Sequence, residues 1–143
     1  MTLAYMYGKA LESLADKKID FVTDDAVVLL LDNGHTLDQD THQYISDVST
    51  DEIVDASYSR QALANKSSAY SSGTKSLKLD CDDILWTSLT GVDIRYAVFA
   101  MDTGADNVSP LLCIWDFEAD YNPVANNFSL TIHASGLITA TLP

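Results

Sequence analysis

Val92-Asp93-Ile94-Arg95-Tyr96-Ala97-Val98-Phe99-Ala100-Met101 is the stretch on which the fold turns. Read with period 2, Ile94, Tyr96, Val98 and Ala100 share one face, and Arg95, Ala97, Phe99 and Met101 share the other. Both faces are largely apolar, which predicts a central strand covered on both sides. The turn cluster Asp102-Thr103-Gly104-Ala105-Asp106-Asn107 follows. Beyond it, Leu111 to Phe117 alternates, with Leu111, Cys113, Trp115 and Phe117 on one side. Asn122-Pro123 and Asn126-Asn127 break the chain again before Phe128, Leu130 and Ile132 alternate with Ser129, Thr131 and His133. Ser135-Gly136 then turns into a last strand through Leu137 to Leu142. Upstream, Leu77, Leu79 and Cys81 alternate with Lys78 and Asp80, and Ile84 to Trp86 opens another strand. The run Ala26-Val27-Val28-Leu29-Leu30-Leu31, closed by Asp32-Asn33-Gly34, predicts a strand buried on both faces. Short strands separated by turn residues at roughly ten-residue spacing predict a mainly β chain, an antiparallel β-sandwich or barrel of jelly-roll-like kind.

The remaining segments are less regular. Leu3, Tyr7, Ala10, Leu11 and Leu14 fall on one stripe of a helix, which predicts a short N-terminal amphipathic helix over residues 3–17. Thr2 would cap it, Lys17 and Lys18 suit its C-terminal dipole, and Gly8 weakens it by about 1 kcal/mol. The stripe can pack on its own domain or dock on another subunit. Residues 32–57 are polar and without a sustained period, predicting a long surface excursion with a helical turn near Tyr44 to Val48. The Ser-rich patch Ser67 to Ser76 reads as a mobile loop. The expectation is a single domain over residues 1–143, with residues 1–18 as a helical docking element on a β-rich body, 19–143.

Composition limits the partners. The chain has 143 residues, with 21 acidic against 8 basic side chains and a net charge of −13. No basic stripe offers counterion release, so direct binding to nucleic acid is not expected. The longest clean apolar run is too short for a helical membrane span. The charge is even between halves: residues 1–72 hold 12 acids and 5 bases, residues 73–143 hold 9 and 3. Cys81 and Cys113 read as buried, reduced thiols, since the N-terminus shows no secretion signal. Without such a signal, the glycosylation-like triplets at Asn65, Asn107 and Asn127 carry no weight.

Catalytic signals are poor. No G-x-S-x-G elbow accompanies His35, His42 and His133, and no glycine-rich phosphate loop is present, so neither an enzyme nor a cofactor is expected. The sharpest ligand pattern is Asp38-Gln39-Asp40-Thr41-His42, which makes Asp38, Asp40 and His42 candidate metal ligands, with Asp32 and His35 nearby. It does not meet the calcium-loop pattern, and the favoured reading is a solvated acidic loop with no metal.

The order of segments resembles small virion structural proteins of tailed bacteriophages. The likeness is carried by Ile19-Asp20, the strand Ala26 to Asp32 and Asp38-Gln39-Asp40-Thr41-His42-Gln43-Tyr44-Ile45-Ser46-Asp47-Val48 leading into Tyr58. It continues through Leu79-Asp80-Cys81-Asp82-Asp83-Ile84-Leu85-Trp86, Arg95-Tyr96-Ala97-Val98, Asp102-Thr103-Gly104, Ser109-Pro110-Leu111-Leu112 and Phe128 to Ile138. It departs from the pattern at Ser57 to Lys75 and at residues 118–127. The resemblance implies a non-enzymatic capsid decoration (cement) or head-fibre protein, made in the host cytoplasm and carried on the capsid surface. Its partners would be the major capsid protein and itself, as a dimer or trimer. The contact candidates are Leu3, Tyr7, Leu11 and Leu14 on the helix and Tyr44 and Ile45 in the long loop. Alternatives are a tail or baseplate subunit, or a receptor- or carbohydrate-binding module using Tyr44, Tyr58 or Tyr121.

Overall fold

The computed structural model describes residues 2–91 and 93–143. The readings that include Met1 and Val92 lie, at those two positions, outside the described residues. The chain is mainly β, 43% strand and 12% helix, and its strands pair antiparallel throughout.

The described residues form ten strands: β1 (Leu3–Met6), β2 (Ala26–Asp32), β3 (Gln61–Ala62), β4 (Ser67–Ser71), β5 (Ser76–Asp80), β6 (Ile84–Leu89), β7 (Ile94–Met101), β8 (Leu111–Tyr121), β9 (Asn126–Leu130) and β10 (Ile138–Thr141). A five-stranded sheet runs β1-β8-β7-β2-β3, a three-stranded sheet β10-β5-β4, and a two-stranded sheet β6-β9. The doubly apolar segments take the middle of the largest sheet. Val28 to Leu31 and Ala97 to Ala100 are fully buried, and Val28 pairs with Phe99, which pairs in turn with Cys113.

The smaller sheets add to the same core. Trp86 of β6 is 1% exposed, pairs with Phe128 of β9, and donates its indole N–H to the Ser59 carbonyl at 2.8 Å. Leu79 of β5 is buried and Ile138 of β10 packs against it from the neighbouring strand. The turn into β10 requires Gly136: its φ is +87°, and an added Cβ would sit 2.5 Å from the Leu79 carbonyl oxygen.

The N-terminal prediction needs correction. Residues 3–6 form strand β1, paired with Met6 opposite Cys113 and Leu3 opposite Asp116. The helix α1 is confined to Gly8–Ala15. Leu3 to Met6 fits a 2-residue period as well as a 3.6-residue one, and the open edge of β8 decides for the strand. Gly8 therefore starts the helix rather than interrupting it. Residues 3–6 belong to the β-rich body, not to a separate docking helix.

Two further segments differ from expectation. Part of the Ser-rich patch forms β4, outermost in its sheet and exposed along its whole length. The excursion after β2 is not a free loop. It forms 3-10 turns at Ile45–Asp47 and Ser49–Asp51, and it buries Ile45, Val48 and Ile53. Main-chain bonds tie it to both sides of the sheet end: Ile53 N–H to Leu30 O, Ile45 N–H to Ser109 O, and Leu111 N–H to Gln43 O.

Candidate functional site

The polar residues of segment 33–57 are largely spent on holding that segment down. Asp38 accepts from the backbone N–H of Asp40 at 3.0 Å, the backbone N–H of Thr41 at 2.9 Å and the Thr41 hydroxyl at 2.5 Å. The Thr41 hydroxyl bond first of all holds the Asp38 carboxyl below its ordinary range. Asp38 is thus the acceptor of a tight local turn, and the structure does not gather Asp38, Asp40 and His42 into one ligand set. Among the described residues, no group of three His, Cys, Asp or Glu side chains is placed to hold a metal ion.

His42 lies instead beside His35, with ring centroids 5.7 Å apart. The His35 side chain is 1% exposed and its Nδ1 stands 2.7 Å from Asp51 Oδ2. A carboxylate acceptor at Nδ1 places a proton on that nitrogen. His35 Nε2 and His42 Nδ1 are both buried without a hydrogen-bond partner. The His35 ring also meets Tyr96 edge-on at 5.4 Å, so the pair helps to seat the segment on β7.

A second network spans more of the chain. The Arg60 guanidinium forks onto Glu52, with Nε to Oε1 at 2.9 Å and Nη2 to Oε2 at 2.7 Å. Its other side reaches Asp106, with Nη1 to Oδ1 at 2.7 Å and Nη2 to Oδ2 at 3.0 Å. Tyr58 donates to Glu52 Oε1 at 2.6 Å and accepts the Leu30 backbone N–H at 3.0 Å. Burial, reinforced by Glu52, pushes the Tyr58 phenol far above its usual range, so it stays a donor. Arg95 makes a comparable contact with Asp116, Nε to Oδ1 at 2.5 Å.

These contacts set a pH response. Asp106 is held below the ordinary carboxylate range by the Arg60 hydrogen bond, and Asp38 by Thr41. Asp116 is shifted down as well: burial opposes the shift, but hydrogen bonds from Arg95 and Glu118 outweigh it. A lowered native pKa contributes stability that is present above the unfolded value and lost as the pH falls through the native one. The expected outcome is a flat denaturation midpoint from neutrality to about pH 5, then a decline below about pH 4. Urea titrations across that range check it, and a midpoint that rises on acidification contradicts it.

The predicted contact residues are scattered. Tyr7 and Ile45 are fully buried in the core and cannot form a docking face. Leu3 lies on β1, Leu14 packs against the core from α1, and Tyr44 is half-buried beside Pro110. Only Leu11, 60% exposed, presents its side chain freely to solvent. Of the aromatic candidates, Tyr58 is tied into the Glu52 network. Tyr121 is exposed and meets Phe117 and Phe128 edge-on at 5.8 and 5.9 Å. The two cysteines are buried and unpaired, with burial pushing the Cys81 thiol up to about 11.

One concave feature has no counterpart in the sequence reading. A groove of about 680 Å³ opens between β1 and β10, lined by Met6, Cys113, Trp115, Leu137, Ile138 and Ala140 among others. No acidic or Lys/Arg side chain lines it. Both bordering strands are sheet edges. Tyr7 N–H donates to Leu112 O, so antiparallel alternation turns the main-chain groups of Ala4 and Met6 away from β8. Likewise Leu142 N–H donates to Lys75 O, which turns those of Thr139 and Thr141 away from β5. Trp115 lines both this groove and a neighbouring one beside Phe117 and Phe128, and its indole N–H is buried without an acceptor. The periodicity of β1 and β10 carried a signal for the edges, but only the fold could place them side by side.

No helix among the described residues is long and apolar enough to cross a membrane. Comparison with protein-family models, curated proteins and solved structures finds no match to this chain.

Proposed function

We propose that this chain is a non-enzymatic structural protein of a tailed-phage particle, a decoration protein that binds the assembled capsid lattice. The five-stranded sheet and the smaller sheets are read as the layers of a sandwich carrying that surface. The observation that supports a protein-binding role is the groove between the free edges of β1 and β10, lined by no Asp, Glu, Lys or Arg side chain and walled in part by Trp115. Outward-facing main-chain groups on both walls suit an extended polypeptide segment that adds a strand. A capsid subunit would supply that segment. Binding only the assembled lattice stabilises it by mass action, and repetition of the site adds avidity. The segmental resemblance to virion proteins and the strongly acidic exterior, which keeps particles apart, point the same way.

The test is the addition of purified protein to expanded, undecorated capsids. Stable binding with a raised capsid disruption temperature is expected. Trp115→Phe, which replaces the indole in the groove wall by a smaller ring, should weaken binding by roughly threefold to tenfold. Absence of binding together with unchanged capsid stability overturns the reading. Recovery at low copy number with the tail would place the chain at the other end of the particle.

A further inference from the structure

Segment 33–57 brings three of its polar side chains together against β7. His35, just after β2, is 4% exposed and meets Tyr96 edge-on. Asp51, in the second 3-10 turn, stands 2.7 Å from its Nδ1. His42, just past the Asp38 turn, sets its ring 5.7 Å from that of His35, tilted by 42°. His35 Nε2 and His42 Nδ1, on these neighbouring rings, are the buried nitrogens without a partner. One such orphan costs free energy, and two on adjacent rings call for a shared partner.

The chemistry of the pair indicates what that partner is. With a proton on Nδ1 held by Asp51, a neutral His35 offers Nε2 as a lone-pair donor. His42 is half-buried, and only its Nδ1 is shut in without a partner, so the ring can keep its proton on Nε2 and offer Nδ1. Two lone pairs cannot bond to each other, whereas a cation satisfies both. A carboxylate that accepts from the far nitrogen of a histidine is also the arrangement that orients metal-binding imidazoles and raises their basicity. The spacing agrees. A Zn–N bond of about 2.0–2.1 Å, added to about 1.1 Å from nitrogen to ring centre, sets two imidazoles of a tetrahedral ion with centroids roughly 5–6 Å apart. The observed 5.7 Å lies in that range. The Asp38 carboxylate is within electrostatic reach of His42, and the net charge of −13 draws cations to the whole molecule. Imidazole nitrogens favour Zn²⁺, Cu²⁺ or Ni²⁺ over Ca²⁺ and Mg²⁺, which take oxygen ligands.

We propose that His35 Nε2 and His42 Nδ1 together bind one divalent transition-metal ion, with Asp51 as the positioning residue for His35 and water completing the coordination. The ion staples two points of the segment after β2 to each other beside β7. The proposal rests on segment 33–57 alone, so it stands or falls apart from the capsid-binding role.

The test is calorimetric titration of the untagged full chain, first stripped with a chelator, with Zn²⁺. One ion per chain with a micromolar dissociation constant is expected, and saturating Zn²⁺ should raise the denaturation midpoint where Mg²⁺ does not. His42→Gln should weaken Zn²⁺ binding at least about tenfold with an unchanged circular dichroism spectrum, because His42 is half-buried. Asp51→Asn should weaken it about tenfold to a hundredfold. His133→Gln, at an exposed ring bonded to Ser135, should bind as the parent does. Co²⁺ in place of Zn²⁺ adds a signature that surface carboxylates do not give, the visible absorption of a tetrahedral nitrogen-ligated ion, and His42→Gln should abolish it. Absence of one-to-one uptake, equal effects of Mg²⁺ and Zn²⁺, or uptake unchanged in His42→Gln overturns the proposal.

Discussion

Phe99→Ala is expected to lower the unfolding free energy by about 3–5 kcal/mol. Phe99 is fully buried on β7, the strand held between β2 and β8. Its backbone neighbours across the sheet are Val28 and Cys113, both buried, and its ring lies 5.1 Å from that of Trp115. Truncation removes the transfer free energy of the ring and leaves a cavity that fixed strands on both sides cannot close. On a domain whose whole stability is about 5–15 kcal/mol, this is a large fraction. The check is urea denaturation, in which the midpoint should fall with an unchanged slope. Val108→Ala, at a side chain 53% exposed, should stay within about 0.5 kcal/mol of the parent. A loss under about 1.5 kcal/mol at Phe99 would mean that the core closes around the gap.

The same residue shows what a sequence of this kind discloses. Ile94 to Met101 is largely apolar on both faces, and only a strand covered on both faces can satisfy it; the structure sets it at the centre of the five-stranded sheet, between β8 and β2. Ala26 to Leu31 carries the same message and is buried throughout. The N-terminus was ambiguous because Leu3 to Tyr7 satisfies two periods, and the free edge of β8, a tertiary fact, chose between them. β4 was illegible for the opposite reason: Ser-Ser-Ala-Tyr-Ser buries nothing, so no hydrophobic pattern marks it, and its pairing to β5 alone makes it a strand.

The candidate site was less legible still. Asp38, Asp40 and His42 are close in sequence, yet a turn spends the Asp38 carboxylate within three residues and leaves His42 beside His35. The groove depends on β1 and β10, which are more than 130 residues apart in the chain. Sequence periodicity left β1 undecided between helix and strand, and it carries no information about which two edges meet.

Arg60 is where the second large effect is expected. It is the single cation between Glu52 and Asp106, 46 positions away from the latter, and through Glu52 it fixes Tyr58 and so the Leu30 N–H of the central β2. Arg60→Met keeps much of the stem and removes the charge. The Glu52 side chain, 14% exposed, is then left with only the Tyr58 hydroxyl, and two carboxylates face each other. Breaking a buried pair from one side costs 3–5 kcal/mol; with the guanidinium 29% and Asp106 41% exposed, water recovers part of that, and about 2 kcal/mol is expected. Arg60→Lys should recover less than half, because an ammonium cannot fork onto both carboxylates. Arg60→Met combined with Glu52→Gln should be less destabilised than Arg60→Met alone, since the stranded charge is gone. Urea midpoints of the three variants decide it. If the double variant is no more stable than Arg60→Met, the loss comes from packing of the arginine stem, and the segment after β2 is held by its apolar anchors Ile45, Val48 and Ile53 instead.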